Sequence, residues 1–334
     1  MPYVSTGGLP SVELVRSLVE EAYGRFRGNR DGETSTVYPA LARIDPELFG
    51  ICVVGTSGDL FGVGDFEAPF TIMSVAKPFV FALVCDAIGV ERARRFVGVN
   101  ATGLPFNSLT AVEQSADGRT NPMVNPGAIA TTSLVPGASP EERWSFVVDG
   151  LSRFAGRTLT LDEEVYASAT AANHRNREIA RLLGDLGRLA CDPHEAVDLY
   201  TRQSSLSVTA LDLAAMGSTL ADGGVNPVTG NRAVDETSSR HTLAVMASAG
   251  LYETSGDWLY DVGLPGKSGI GGGIVTVSPG KGGLGTFAPR LDRAGNSVKG
   301  GLVARFLARR LGLDVFASAP DPHVRSGEHD FVTS

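Results

Sequence analysis

Behind Ser11, apolar residues return every three or four positions, at Val12, Val15, Leu18, Val19 and Ala22, which lines one face of a helix with Ser11 as its cap. The period then shortens. Phe49-Gly-Ile-Cys-Val-Val-Gly and Leu60-Phe-Gly-Val-Gly are short β-prone runs on either side of Thr56-Ser-Gly-Asp, the pattern of a hairpin. From Ser74 an apolar helical run passes through Phe79, Leu83 and Ile88 and stops at Gly89. Ser139-Pro-Glu-Glu142 places a cap, a first-turn proline and an N3 glutamate ahead of Trp144, Phe146 and Val147. Thr209-Ala-Leu-Asp212 repeats that logic before a helix that ends at Gly223-Gly224. After the turn Asn226-Pro-Val-Thr-Gly, a helix is predicted over 239–249. Strands follow over 274–277 and 284–288, and an amphipathic helix over about 298–311.

Helix, strands, helical block, strands, helix is the order of an α/β (α+β) chain whose sheet is assembled from both ends, about 11–73 and 226–315. A helical lobe of about 74–225 is inserted between them. One domain over 11–315 is expected, with flexible tails at 1–10 and 316–334. Hydrophobic residues at 43% and charged residues at 20% fit a folded globular chain and exclude a disordered one. The net charge of −8 disfavours nucleic acid and anionic membranes as partners. No apolar run approaches the ~18 residues of a membrane span, and the N-terminus has no export pattern. Cys52, Cys85 and Cys191 are few and far apart, so they read as buried, reduced thiols of a cytoplasmic protein. Glycine is in excess, 41 of 334, and its concentration between Gly263 and Gly285 invites a functional reading.

Thr71-Ile-Met-Ser74-Val-Ala-Lys77 puts a serine where a β-prone segment turns helical, with a lysine three residues on and on the same face. A neutral lysine there can take the hydroxyl proton, and the helix N-terminus favours the charge that develops. Lys267-Ser268-Gly269, followed by Ile270 and three glycines, supplies the second element of Ser-x-x-Lys hydrolases, a lysine on an edge strand. The amides of Ser74 and Ile270 could then pair as oxyanion donors. The competing reading, a phosphate loop ending in Gly266-Lys267-Ser268, fails because Asp261 stands where the first glycine belongs and a strand follows. The histidines His174, His194, His241, His323 and His329 show no metal-ligand spacing.

Asn121-Pro-Met-Val-Asn125-Pro-Gly-Ala-Ile, read together with Ser74-x-x-Lys77, His174-Arg-Asn176, the Lys267 segment and Gly295-Asn-Ser-Val-Lys-Gly300, closely resembles the serine-dependent glutaminases over about residues 11–312. The resemblance implies a β-lactamase/transpeptidase-like fold, a mixed antiparallel sheet flanked by helices with an inserted helical lobe. It implies hydrolysis of L-glutamine by water to L-glutamate and ammonia, without metal or organic cofactor, by a homodimer or homotetramer. Residue by residue, it makes Ser74 the nucleophile, Lys77 the base, Tyr252 a proton-relay hydroxyl and Ile270 an oxyanion donor beside Lys267. Asn125, Asn176 and Tyr200, with Ser74, Tyr252 and Ile270, would hold the substrate.

Two positions depart from the family pattern. Val37 stands where a substrate-side tyrosine is usual, with Tyr38 expected to point elsewhere unless the backbone shifts. Ala169, in Ser168-Ala169, stands where a glutamate suited to an ammonium group is usual, and Glu163 and Glu164 are out of register. The alternatives left open are a serine amidohydrolase acting on another small amide or a β-lactam, and a catalytically silent scaffold of the same fold.

Overall fold

The computed structural model describes residues 7–317; the tails expected to be flexible lie, over 1–6 and 318–334, outside the described residues. In chain order the helices are α1 Val12–Phe26, α2 Ala76–Ile88, α3 Val90–Val97, α4 Thr110–Glu113, α5 Asn125–Ser133, α6 Pro140–Ala155 and α7 Glu163–Ala172. They continue as α8 His174–Asp185, α9 Pro193–Ser204, α10 Ala210–Ala221, α11 Glu236–Ala249, α12 Ser255–Val262 and α13 Val298–Arg310. The strands are β1 Gly50–Gly55, β2 Leu60–Gly64, β3 Phe70–Thr71, β4 Thr160–Leu161, β5 Leu206–Val208, β6 Gly266–Ser268, β7 Gly273–Ser278 and β8 Gly282–Phe287.

Capping chemistry fixes three helix starts as the sequence predicts. Ser11, Ser139 and Thr209 each accept a backbone N–H in the first turn, and Asp212 completes a box by accepting from Thr209 N. The helix predicted from residue 239 begins earlier, because Asp235 accepts from Ser238 N at 2.6 Å and starts the first turn at Glu236.

The five-stranded sheet runs β2-β1-β8-β7-β6, every neighbour antiparallel, with strands drawn from both ends of the described chain. Alternation along β1 feeds two cores: Ile51 and Val53 face α1, α12 and α13, while Cys52 and Val54 face the helical lobe. Helix α10 lies across β8, β1 and β7 and is buried along its length. Its close approach explains two glycines of the Gly263–Gly285 segment. A Cβ on Gly283 or Gly285 would run into the α10 backbone at Ala214 or Ala210, so these glycines serve packing rather than a ligand.

A second, three-stranded sheet, β3-β5-β4, was not legible in the sequence, because its strands are two or three residues long. It ties the segment before Ser74 to the end of α9 through Ile72 N donating to Leu206 O at 2.9 Å. Cys52 and Cys85 are buried free thiols, but Cys191 is only half-buried, because it precedes the α9 cap at the rim of the lobe. Among the described residues, no helix is long and apolar enough to cross a membrane.

Candidate active site

Helix α2 is apolar on all sides from Ala76 to Cys85, so it passes through the core instead of lying on it, and Lys77 in its first turn is buried with it. Ser74 sits in the 3-10 turn Met73–Val75 that feeds α2. Met73, immediately before it, has φ +48°, and Tyr252 has φ +60°; they are the two non-glycine residues of the described chain with positive φ. Such backbone costs about 1–3 kcal/mol per residue and persists only where the surroundings over-determine it. Both residues flank Ser74, whose hydroxyl faces the phenols of Tyr200 and Tyr252.

Lys77 Nζ donates to Asn125 Oδ1 at 2.6 Å and to Met123 O at 3.4 Å. Burial lowers its pKa to about 7, so near neutrality much of it is uncharged, with two N–H groups engaged and a lone pair left over. No Ser74–Lys77 hydrogen bond forms among the described residues. Lys267, on edge strand β6, is also fully buried; burial first and the charge of Lys77 second push its pKa well down. Burial is the cause of the Lys77 shift. Lys267 Nζ and Tyr252 OH both donate to Ser268 O, at 2.6 and 3.1 Å, and Lys267 Nζ lies 3.9 Å from the Tyr252 ring centre. Burial raises the Tyr252 pKa to about 12, which keeps its proton on the oxygen.

Gly269 brings the β6–β7 connection against the serine turn: a Cβ there would lie 2.9 Å from Ile72 O and 3.2 Å from Ser74 N. Ile270 follows at the cavity wall, and among the described residues neither its N–H nor that of Ser74 has a protein acceptor. The Gly295–Gly300 motif acts behind this strand, where Asn296 Oδ1 accepts from Ser268 Oγ at 2.5 Å and Asn296 Nδ2 donates to Thr254 Oγ1 at 3.0 Å.

From Lys77 a chain of buried amides runs into the lobe. Asn125 Nδ2 donates to Asn176 Oδ1 at 2.9 Å, Asn176 Nδ2 to Asn173 Oδ1 at 2.5 Å, and Asn173 Nδ2 to Thr201 Oγ1 at 2.7 Å; Thr201 Oγ1 donates to Val197 O. The donors Lys77 and Tyr200, both on Asn125 Oδ1, fix the orientation of every amide in the chain. A cavity of about 110 Å³ lies over it and opens beside Val37, Phe106 and Ile270 into a wider vestibule.

Of the candidates from sequence, Ser74, Asn125, Asn176, Tyr200 and Ile270 line the cavity, and Lys77, Tyr252 and Lys267 stand behind its wall. Ala169 lines it too, whereas Glu163 and Glu164 face solvent, Glu164 paired with Arg43. The expectation for Tyr38 is corrected. Val37 is 54% exposed at the rim, while Tyr38 is turned inward by packing with Ala40, Leu41, Met73 and Val165, and it lines the cavity. Sequence reasoning missed Asn173 and Thr201; the cap position between two helices was the one signal for Asn173, and a threonine inside a helix gives none.

A sheet with a serine turn opening a buried lysine-bearing helix on one side, and a lysine-bearing edge strand on the other, belongs to the β-lactamase-like class of folds. Within that class, the glutaminase family model matches residues 32–316, and the chain belongs to the glutaminase family. It is 67% identical over 318 residues to Glutaminase 2 of Yersinia pestis, covering 95% of this chain and 94% of that one. A solved structure described as the probable glutaminase ybaS superposes with TM-score 0.91 at 40% identity, covering 92% of this chain and all of that one. Mglu in its glutamate form superposes with TM-score 0.85 at 36% identity, covering 96% of this chain and 71% of that one.

Proposed function

We propose that this glutaminase hydrolyses L-glutamine through an acyl-enzyme on Ser74, with Lys77 as the base. The observation that carries the reading is the state of Lys77: buried, with a pKa lowered to about 7 and its N–H groups spent on Asn125 Oδ1 and Met123 O. Ser74 Oγ attacks the side-chain carboxamide carbon and gives its proton to Lys77 Nζ. The carbonyl electrons move to oxygen, which accepts from the unspent N–H groups of Ser74 and Ile270. As the C–N bond breaks, the proton on Lys77 passes through the Tyr252 hydroxyl to nitrogen and ammonia leaves. Water then attacks the γ-glutamyl ester, Lys77 takes its proton, and Ser74 departs reprotonated, releasing glutamate. Asn125, Asn176 and Tyr200 hold the substrate, and Lys267 and Ser268 O hold Tyr252. The glutamate form of Mglu is consistent with such a product.

Ammonia release by wild type, Ser74→Ala and Lys77→Ala, each checked for fold by circular dichroism, tests the reading. Turnover is expected from wild type alone; comparable turnover by folded Ser74→Ala overturns it.

We infer as well that residues 11–315 work as a single catalytic unit, in the cytoplasm, as a homodimer or homotetramer. Kinship with glutaminases supports the assembly, and the free thiols of Cys52 and Cys85 support the compartment. Analytical ultracentrifugation reads the assembly directly.

A further inference from the structure

We infer that the site also hydrolyses the monoamide of a five-carbon dicarboxylic acid that has no ammonium group on its chain, with an efficiency rivalling that for L-glutamine. The inference rests on the acyl-enzyme reading above and concerns the end of the cavity away from Ser74. No aspartate or glutamate lines that cavity among the described residues. On α7 the cavity-facing positions are Ala169, which is buried, and Ala172, each offering only a methyl group. The nearby carboxylates are committed elsewhere: Glu164 to Arg43, Glu178 to Arg175, and Asp198 to Tyr166 and Arg202.

Of the amide oxygens, Asn125 Oδ1 is filled by Lys77 and Tyr200, while Asn176 Oδ1 and Asn173 Oδ1 each accept one bond, from Asn125 and Asn176, and none carries a formal charge. Donors remain beside them. Asn173 and Asn176 each keep a second amide N–H, and the Arg175 guanidinium, bonded to Asn107 O and paired with Glu178, lines the same cavity. A carboxylate entering beside these amides meets N–H donors, whereas an ammonium must leave water with no anion to receive it. The cavity, about 110 Å³, suits a short chain and excludes bulky N-acylated amides. The reaction follows the same acyl-enzyme course: water and the amide give the dicarboxylate and ammonia, with no change of oxidation state.

The test compares kcat/KM for glutaramate and L-glutamine on one wild-type preparation, by ammonia release, with Ser74→Ala as blank, and repeats the pair with Ala169→Glu. The expected result is a wild-type ratio within tenfold and a shift of tenfold or more towards L-glutamine in Ala169→Glu. A wild-type preference for L-glutamine greater than tenfold overturns the inference and leaves the acyl-enzyme reading standing. Ser74-independent release, or none from either amide, overturns both. An unchanged ratio in folded Ala169→Glu overturns the assignment of selectivity to the missing carboxylate; should that variant not fold, the wild-type ratio decides.

Discussion

The two ends of the cavity are built differently. At the Ser74 end every group is fixed from several directions: two strained backbones, a lysine inside an all-apolar helix, and a second lysine and a tyrosine sharing the carbonyl of Ser268. At the far end, on the α7–α8 junction, the wall is a single chain of neutral amides with a methyl group where an anion could stand. Chemistry needs charged groups held against their own solvation preference, which demands a rigid core on all sides. Recognition can change with one side chain on a lobe helix without disturbing that core.

The largest effect that would break this contrast is at Ser74. Ser74→Ala is expected to lower kcat by roughly 10⁴-fold or more, with the melting temperature kept, as read by an ammonia assay and a thermal scan. Lys77→Met should lower kcat by about 10²–10⁴-fold yet raise the melting temperature at pH 7. The sign follows from the proton balance. The ordinary lysine pKa of 10.5 falls to about 7 on folding, so folding expels a proton between those values. The penalty is full below pH 7 and fades as pH rises to 10.5, and the gain from Lys77→Met should fade with it.

Next in size, kcat/KM of wild type should fall about tenfold per pH unit below an apparent pKa of about 7, as Lys77 gains its proton. A profile flat from pH 5 to 8 would break the assignment of Lys77 as base. At the other end, Asn173→Ala orphans an amide N–H of Asn176 and should destabilise by about 1–3 kcal/mol. It should raise KM several-fold with a smaller change in kcat, which separates the recognition end from the chemical one. Smallest for activity, Gly283→Ala should lower the melting temperature by forcing α10 off the sheet, and leave kcat of the folded fraction unchanged.

The Ser74 end was legible in the sequence because its residues lie in short local motifs, Ser74-x-x-Lys77 and Lys267-Ser-Gly, at the start of a helix and on a strand. Helices α1, α2, α6, α10, α11 and α13 and the β1–β2 hairpin were legible for the same reason, through caps and periodicity, whereas α8 and α9 were not. The far end was not. Asn173 and Thr201 meet at a separation of 28 positions, across helix and loop, and neither position breaks a local rule. Tyr38 was misplaced because its direction is set by packing against Met73 and Val165, contacts that no pattern in its own segment encodes. The β3-β5-β4 sheet escaped because its strands are too short to show a period, although it anchors the turn that carries Ser74.

The central claim is that a neutral Lys77 activates Ser74. The most direct measurement is the pH dependence of covalent labelling by a glutamine analogue carrying an electrophilic carbon at the amide position, with the adduct mapped by peptide mass spectrometry in wild type and Lys77→Met. The account predicts a single adduct on Ser74, whose rate in wild type rises through an apparent pKa of about 7 and is lost in Lys77→Met. Labelling of another residue, or an equal rate of Ser74 labelling in Lys77→Met, would contradict it.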